Sequence, residues 1–382
     1  MIAMNIIHLT DYFPDYPGNF GYTLIAIVEK VSRYGGKCFV SFPEPRVWHE
    51  MIRVEGGEVI YLQVHKFKEK KIDLYSIKFL NYLIKKNKIS LVHVHFGLSQ
   101  KVITLFLKIL NPKLKVVWHW RGDVDDNNNK LKIVGYFLFF RIVSNFFVNA
   151  HIANSNNIAK RLKLKRLVSS HKLFSLPNSI NIKELNPNKY KREIEDLSVQ
   201  YNTKNIFTLL MIRNFRRRVD FDIIIQTMEY LKNLSEKIQL LWVGYGETEI
   251  DIKSQVKIKK LDNIHFIGKV SNPVPFYCIS KVNIIAWEPW CKETINNTAY
   301  EALACNIPVV GLNFGGLPET FSEEEGVFAV PLDSKNYAEK ILYIKNNYDK
   351  LKPSVLKGRK KVLRNFSLDT YLIKLYDIYQ YS

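Results

Sequence analysis

The feature that most limits the fold of this chain is an alternation, run through twice, of short β-rich segments and helical stretches. In the first half, Asn5–Thr10, Lys37–Phe42, Glu58–Val64, Leu91–His95, Leu114–Trp120 and Ala150–Asn154 read as strands, with helical patterns at Tyr22–Tyr34 and Leu74–Lys86. In the second half, Ile206–Ile212, Gln239–Gly244, Ile264–Gly268, Val282–Trp287 and Val309–Asn313 read as strands, with helices at Asp222–Leu231 and Asn297–Ala304. Such alternation predicts parallel sheets, because a parallel connection must cross over and the crossover holds a helix. At 382 residues the chain exceeds what one core usually holds. The polar stretch Leu176–Lys204, with Pro177 and Pro187, reads as the boundary between the halves. The expectation is an α/β protein of two Rossmann-like, doubly wound parallel-sheet domains, residues 1–185 and 186–365. Residues 366–382 form a C-terminal helix expected to pack back on the first. Open sheets of this kind bind ligands beyond the carboxyl ends of their strands, so a cleft facing those ends is the expected site. The fold alone does not set its chemistry.

Charge narrows the partners. The formal net charge of +20 suits a polyanionic partner: nucleic acid, anionic lipid or a phosphate-rich substrate. The basic residues gather at Lys66, Lys68, Lys70 and Lys71, at Lys85, Lys86 and Lys88, and at Lys160, Arg161, Lys163, Lys165 and Arg166. A solvated lysine-rich surface is the plain alternative. The four cysteines, Cys38, Cys278, Cys291 and Cys305, are scattered without a CxxC pair. That argues against a disulfide framework or zinc site and suits a reducing compartment. Met1–Thr10 shows no signal-peptide pattern. The apolar run Ile133–Phe140, closed by Arg141, falls short of the ~20 residues of a spanning helix.

The most specific motif is Glu293-Thr-Ile-Asn-Asn-Thr-Ala-Tyr-Glu301, followed by Ala302-Leu-Ala-Cys-Asn-Ile-Pro-Val-Val310. Glu293 is expected in a strand-to-helix loop and Glu301 inside the helix. Between them, the backbone N–H groups of Asn296, Asn297 and Thr298 form the helix start, where unpaired donors and the dipole attract anions. This order suits a nucleotide-sugar. Glu293 can accept from sugar hydroxyls, the helix start can hold a diphosphate, and Glu301 can accept from both ribose hydroxyls. The plain alternative is an ordinary exposed Glu301. Its neighbours Ala302, Leu303 and Ala304 instead mark a mostly buried helix, and a buried glutamate needs partners.

With Glu-Ala-Leu-Ala, Pro308-Val-Val310 and Gly315-Gly-Leu-Pro-Glu319, this motif resembles the GT-B-fold retaining glycosyltransferases of family 4 (glycosyl transferases group 1). The resemblance covers nearly the whole chain. Gly18-x-x-Gly21 is similar to the family's N-terminal glycine loop near the donor phosphates and sugar. Ile152–Ser155 with Leu176–Asn181 is similar to the run that closes the first domain, and Asn263–Gly268 to the strand and turn beside the base. Arg213 matches the first of two basic residues that clasp the diphosphate. Arg218 best matches the second, with Arg216 and Arg217 as rivals and Val219 where the family has glycine. The family's histidine that contacts the donor sugar falls at His119, or at Arg121 if the register moves; a core or acceptor-side histidine is the alternative. Two departures, Asn296 for a usual glycine and Asn181 for a frequent aspartate, bear on donor preference. His93 and His95 share a strand face and suit strand-end packing better than a metal pair. Asp123-Val-Asp125 is a D-x-D in an Asp- and Asn-rich loop, read as a loop and not as a metal site.

The resemblance implies a transfer of sugar, with Glu293 and His119 catalytic, from a nucleoside diphosphate sugar to a hydroxyl on a glycan or lipid-linked glycan. It implies bacterial surface polysaccharide synthesis: lipopolysaccharide, capsule or O-antigen. No cofactor or metal is expected, because Arg213, Arg218 and the helix start neutralise the diphosphate. The basic clusters and the aromatic stretch Ile133–Val148, with Phe137, Phe139, Phe140, Phe146 and Phe147, predict a cytoplasmic protein held peripherally at the anionic inner face of the cell membrane. The alternative is that these phenylalanines fill the first core. Two other functions compete: a nucleotide-sugar epimerase on the same fold, and a basic nucleic-acid-binding protein. The latter would want interleaved basic and aromatic residues rather than a glutamate pair at a helix start, so no nucleic acid is expected.

Overall fold

The structure, a computed structural model, describes residues 3–12, 14–62, 73–121, 141–215, 221–285 and 297–382. It divides into two compact units, Met1–Ser179 with Leu368–Ser382, and Ile180–Ser367. Where the sequence suggested a first boundary after residue 185, the division falls after Ser179. The reason is local: the Ile180 N–H donates to the Phe366 carbonyl, and Ile180 bridges Ser367, so both ends of the second unit are fastened together.

The first unit is one sheet of seven parallel strands: β1 (Ile6–Leu9), β2 (Cys38–Phe42), β3 (Glu58–Tyr61), β4 (Leu91–His95), β5 (Lys115–Trp120), β6 (Ala150–Ala153) and β7 (Leu173–Ser175). Their order is β3-β2-β1-β4-β5-β6-β7, so the chain reverses its direction of travel between β1 and β4. The central strands are buried on both faces, which is why they read as nearly continuous apolar runs. One face is covered by helix α1 (Gly18–Arg33), whose Leu24, Ile27, Val28 and Val31 fall at helical spacing and pack on Ile6, Val40 and Val117. Helix α2 (His49–Val54) adds Ile52 to that layer, and the C-terminal helix Leu368–Tyr381 joins it through Tyr371, Leu375 and Tyr379. Each fully buried aliphatic side chain contributes about 1.5–3 kcal/mol, so cutting Leu24 back to alanine removes a substantial part of this contact. The opposite face takes α3 (Leu74–Lys86) and α4 (Leu98–Leu110), packed on Ile7, Val92, Val94, Trp118 and Trp120.

The second unit repeats the design with six parallel strands: β8 (Phe207–Ile212), β9 (Ile238–Val243), β10 (Ile264–Gly268), β11 (Val282–Ile284), β12 (Val309–Leu312) and β13 (Val327–Val330). The order is β10-β9-β8-β11-β12-β13, with the reversal between β8 and β11. Both units are therefore Rossmann-like, and each has a switch point at which such sheets hold ligands. Among the described residues, no helix is long and apolar enough to cross a membrane.

Candidate functional site

In the second unit, two connections leave the switch point. The one after β8 begins at Arg213. Its N–H donates to the Val243 carbonyl at 2.8 Å, and its own carbonyl accepts from Trp242 Nε1 at 3.3 Å. This backbone passes so close to the β9 loop that side chains are excluded. A Cβ on Gly244 would stand 2.0 Å from the Arg213 oxygen, and one on Gly246 2.3 Å from the Phe215 oxygen. The pair Gly244 and Gly246 is the cradle that sets Arg213 at the strand end.

The second connection leads from β11 to the helix Asn297–Ala304. Its buried Ala299, Ala302, Leu303 and Ala304 are good helix formers and fill the layer beside Val309 and Val327. Glu301 lies on this helix with its carboxylate turned into the protein, where Oε2 accepts a hydrogen bond from Tyr277 Oη at 2.8 Å. Tyr277 is fully buried on the helix Val274–Ile279. Burial raises the Glu301 pKa above the ordinary carboxylate value, while the Tyr277 hydroxyl works in the opposite direction. Asn297 is one turn before Glu301, on the same helix face, and its Oδ1 is buried without a partner among the described residues. Thr298 is half-buried in the same first turn. Thus Asn297, Thr298 and Glu301 share one helix start at the switch point, with Arg213 on the neighbouring strand's connection. Glu293, Asn296 and Arg218 lie outside the described residues, as do Arg216, Arg217, Asp123 and Asp125.

In the first unit, Gly18 opens α1 with φ +51°, a conformation that disfavours side chains. Gly21 is buried: a Cβ there would stand 2.6 Å from Pro17 Cβ and 3.2 Å from the Trp48 ring. Its demand is packing. His119, near the end of β5, is fully buried, its ring 5.4 Å from those of His93 and His95. Arg121, two residues on, stands past the strand end. Of the two residues the sequence left open, His119 is therefore inside the layer and Arg121 at its rim.

His8, on β1, pairs with His93 in register and adds a member that the sequence did not reveal. Ligating atoms of His8, His93 and His95 come within 4.8 Å of one another, a spacing that a metal ion could use. The hydrogen bonds argue otherwise. Arg121 Nε donates to His95 Nδ1 at 3.3 Å, which makes His95 Nε2 the protonated nitrogen, and that atom is 3.0 Å from His8 Nδ1. Both His95 nitrogens are thus engaged, and a dication would sit beside a fixed guanidinium. Burial and the Arg121 charge hold the imidazoles neutral: His8 is pulled down to about 3, and His93, His95 and His119 lie well below their ordinary value.

With this geometry in view, the likeness to known proteins is specific. Residues 193–361 match the family Glycosyl transferases group 1. The capsular polysaccharide biosynthesis glycosyltransferase CapM of Staphylococcus aureus is 25% identical over 243 residues, covering 61% of this chain and 62% of that protein. The N-acetyl-alpha-D-glucosaminyl L-malate synthase of Bacillus anthracis is 24% identical over 194 residues, 50% of each chain. The chain thus spans less than two thirds of the length of these curated relatives. Among solved structures, a glycosyltransferase from Rickettsia africae superposes with TM-score 0.85 at 19% identity, over 99% of this chain and 98% of that one. Anabaena HepE in complex with UDP superposes with TM-score 0.80 at 15% identity, over 99% and 100%. Two parallel-sheet units and these neighbours define the GT-B fold. The stretch that matches the glycosyl transferases group 1 model lies within the second unit.

Proposed function

We propose that this chain is a retaining glycosyltransferase that moves a sugar from a nucleoside diphosphate sugar to a hydroxyl of a glycan or lipid-linked glycan in bacterial surface polysaccharide synthesis. The observation that carries the donor half is the Glu301 carboxylate, held inside the family's domain with one oxygen bonded to Tyr277 and acceptor capacity to spare. That capacity suits the two hydroxyls of a ribose. Asn297, Thr298 and Arg213 supply donors for a diphosphate, and Glu293 accepts from the sugar. The capsule assignment of CapM and the UDP bound to HepE support the pathway and the donor. No metal is required, since arginine and the helix start stabilise the departing diphosphate.

The acceptor half rests on surface chemistry. From Leu74 to Arg121 and from Arg141 to Ser179 there is no Asp or Glu. On α3, exposed Tyr75 and Tyr82 alternate with exposed Lys78, Lys85 and Lys86. Phe146 and Leu164 are exposed near Arg141, Lys160 and Lys163, while Phe147 packs on the core. Lys66–Lys71, Phe137, Phe139 and Phe140 lie outside the described residues. Aromatic residues interleaved with cations suit the headgroup region of an anionic membrane, so the protein works peripherally at the inner face. A thermal-shift screen of nucleotide-sugars tests the donor reading. Stabilisation by one nucleoside series, lost in Glu301→Ala, is expected; no response to any nucleotide would defeat it.

A further inference from the structure

Arg121 is a half-buried cation with no acid beside it among the described residues. Its Nε donates to His95 Nδ1 at 3.3 Å, Nη1 to Asn178 Oδ1 at 3.1 Å and Nη2 to Tyr371 Oη at 3.4 Å, and all three acceptors are neutral. Among the described residues no carboxylate forms an ion pair with it. The guanidinium lies 4.4 Å from the centre of the Phe20 ring and 5.7 Å from that of Phe96. A charge drawn partly out of water without a counter-charge is costly, and such costs persist where a ligand supplies the missing partner. Lys101, buried with no acid paired to it among the described residues, shows the usual escape: burial pulls it down to about 7, so it can shed its proton. Arginine has no such exit.

The surroundings are built as a binding site. Arg121 follows β5, next to the β1–β4 switch point of the first sheet. Three of its five N–H donors are fixed by the protein, which orients the plane and leaves two without an acceptor among the described residues. Asn19, one residue before Phe20, has a buried Nδ2 with no partner among the described residues. Phe96 holds φ +66°, rare for an aromatic residue, and is exposed beside the stacked Tyr12. An exposed aromatic platform beside a preoriented cation fits a sugar whose apolar face lies on the ring and whose acidic group meets the guanidinium.

We propose that Arg121 anchors an anionic substituent, a carboxylate or a phosphate ester, on one of the sugar substrates. This rests on the glycosyltransferase reading above and adds the chemical class of a substrate. Arg121 belongs to the first unit, whereas Arg213, Asn297 and Thr298, proposed for the donor's diphosphate, belong to the second. The test is a saturation-transfer NMR titration of the full chain with glucuronate, glucose 6-phosphate and glucose, with and without saturating nucleoside diphosphate. Wild type is expected to bind at least one acidic sugar about tenfold or more tightly than glucose, with the diphosphate present. Arg121→Gln should abolish the preference, and Arg121→Lys, which keeps the charge but not the fork, should retain part of it. If Arg121→Gln fails to fold, wild type and Arg121→Lys decide. Equal or absent binding of the three sugars while the nucleotide still binds overturns the proposal and leaves the transferase reading intact. A preference that vanishes when nucleotide saturates also overturns it, because Arg121 then serves the diphosphate. If no nucleoside diphosphate binds, the transferase reading itself fails first.

Discussion

Replacing Glu301 by glutamine separates what this carboxylate does for the fold from what it does for the donor. A carboxylate offers about four lone-pair positions, and Tyr277 occupies one, at 2.8 Å. Two ribose hydroxyls can donate to the rest. The amide keeps a single oxygen and turns donors toward the second hydroxyl. Hydrogen bonds to charged groups are worth about 1.5–3 kcal/mol against about 1 for neutral ones. The change therefore costs roughly 2 kcal/mol of donor affinity, or about 30-fold in Kd. Stability moves the other way. Burial raises the Glu301 pKa above 4.5 in the folded state. The folded protein thus holds this proton more tightly than the unfolded chain, and the resulting stability is present below pH 4.5 and is lost as pH rises through the folded value. Ligand-free Glu301→Gln, which carries no charge, should be as stable as wild type or more so at neutral pH, with a flatter pH dependence. Glu301→Ala should match it in lost affinity but be less stable by about 1–3 kcal/mol, because it strands the buried Tyr277 hydroxyl. Calorimetric titration with the best nucleotide from the screen, and urea denaturation at pH 4.5 and 7, measure both. Wild-type affinity in the two variants would refute the reasoning.

His8 and His151 are both pulled down to about 3 by burial, so the unfolded chain binds protons that the folded one refuses. Stability should fall as pH drops below ~6.5, by about 2 kcal/mol per such histidine at pH 5. A urea midpoint unchanged between pH 7 and 5 would contradict this. Transfer should survive excess EDTA; complete loss restored by manganese would point to a metal and to Asp123–Asp126. Co-sedimentation should require anionic vesicles and weaken steeply with salt, since screening acts within ~10 Å at 0.1 M. Equal binding to neutral vesicles, or none to either, removes the membrane proposal alone.

Much of the fold was legible because parallel strands buried on both faces write themselves as short apolar runs, and their crossovers as helices. The Glu301 helix could be read for the same reason, since its alanines mark burial. What escaped was non-local. Tyr277 lies 24 residues from Glu301, and no spacing rule joins them. His8 looked like any strand residue until the register set it beside His93. The glycines at 244 and 246 read as loop punctuation, whereas their role is to let the Arg213 backbone approach. What separates His119 from Arg121 is where β5 ends: His119 is covered within the strand and Arg121 stands past it.

The reaction proposed for this chain is transfer from a nucleoside diphosphate sugar. The direct measurement is the release of free nucleoside diphosphate from a nucleotide-sugar panel on addition of glycan or lipid-linked acceptors, with the anomeric configuration of the product read by NMR. Release that requires both donor and acceptor, with the donor's configuration kept in the product, is the expected result. An isomerised nucleotide-sugar with no diphosphate released, or no turnover of any nucleotide-sugar with any acceptor, would contradict it.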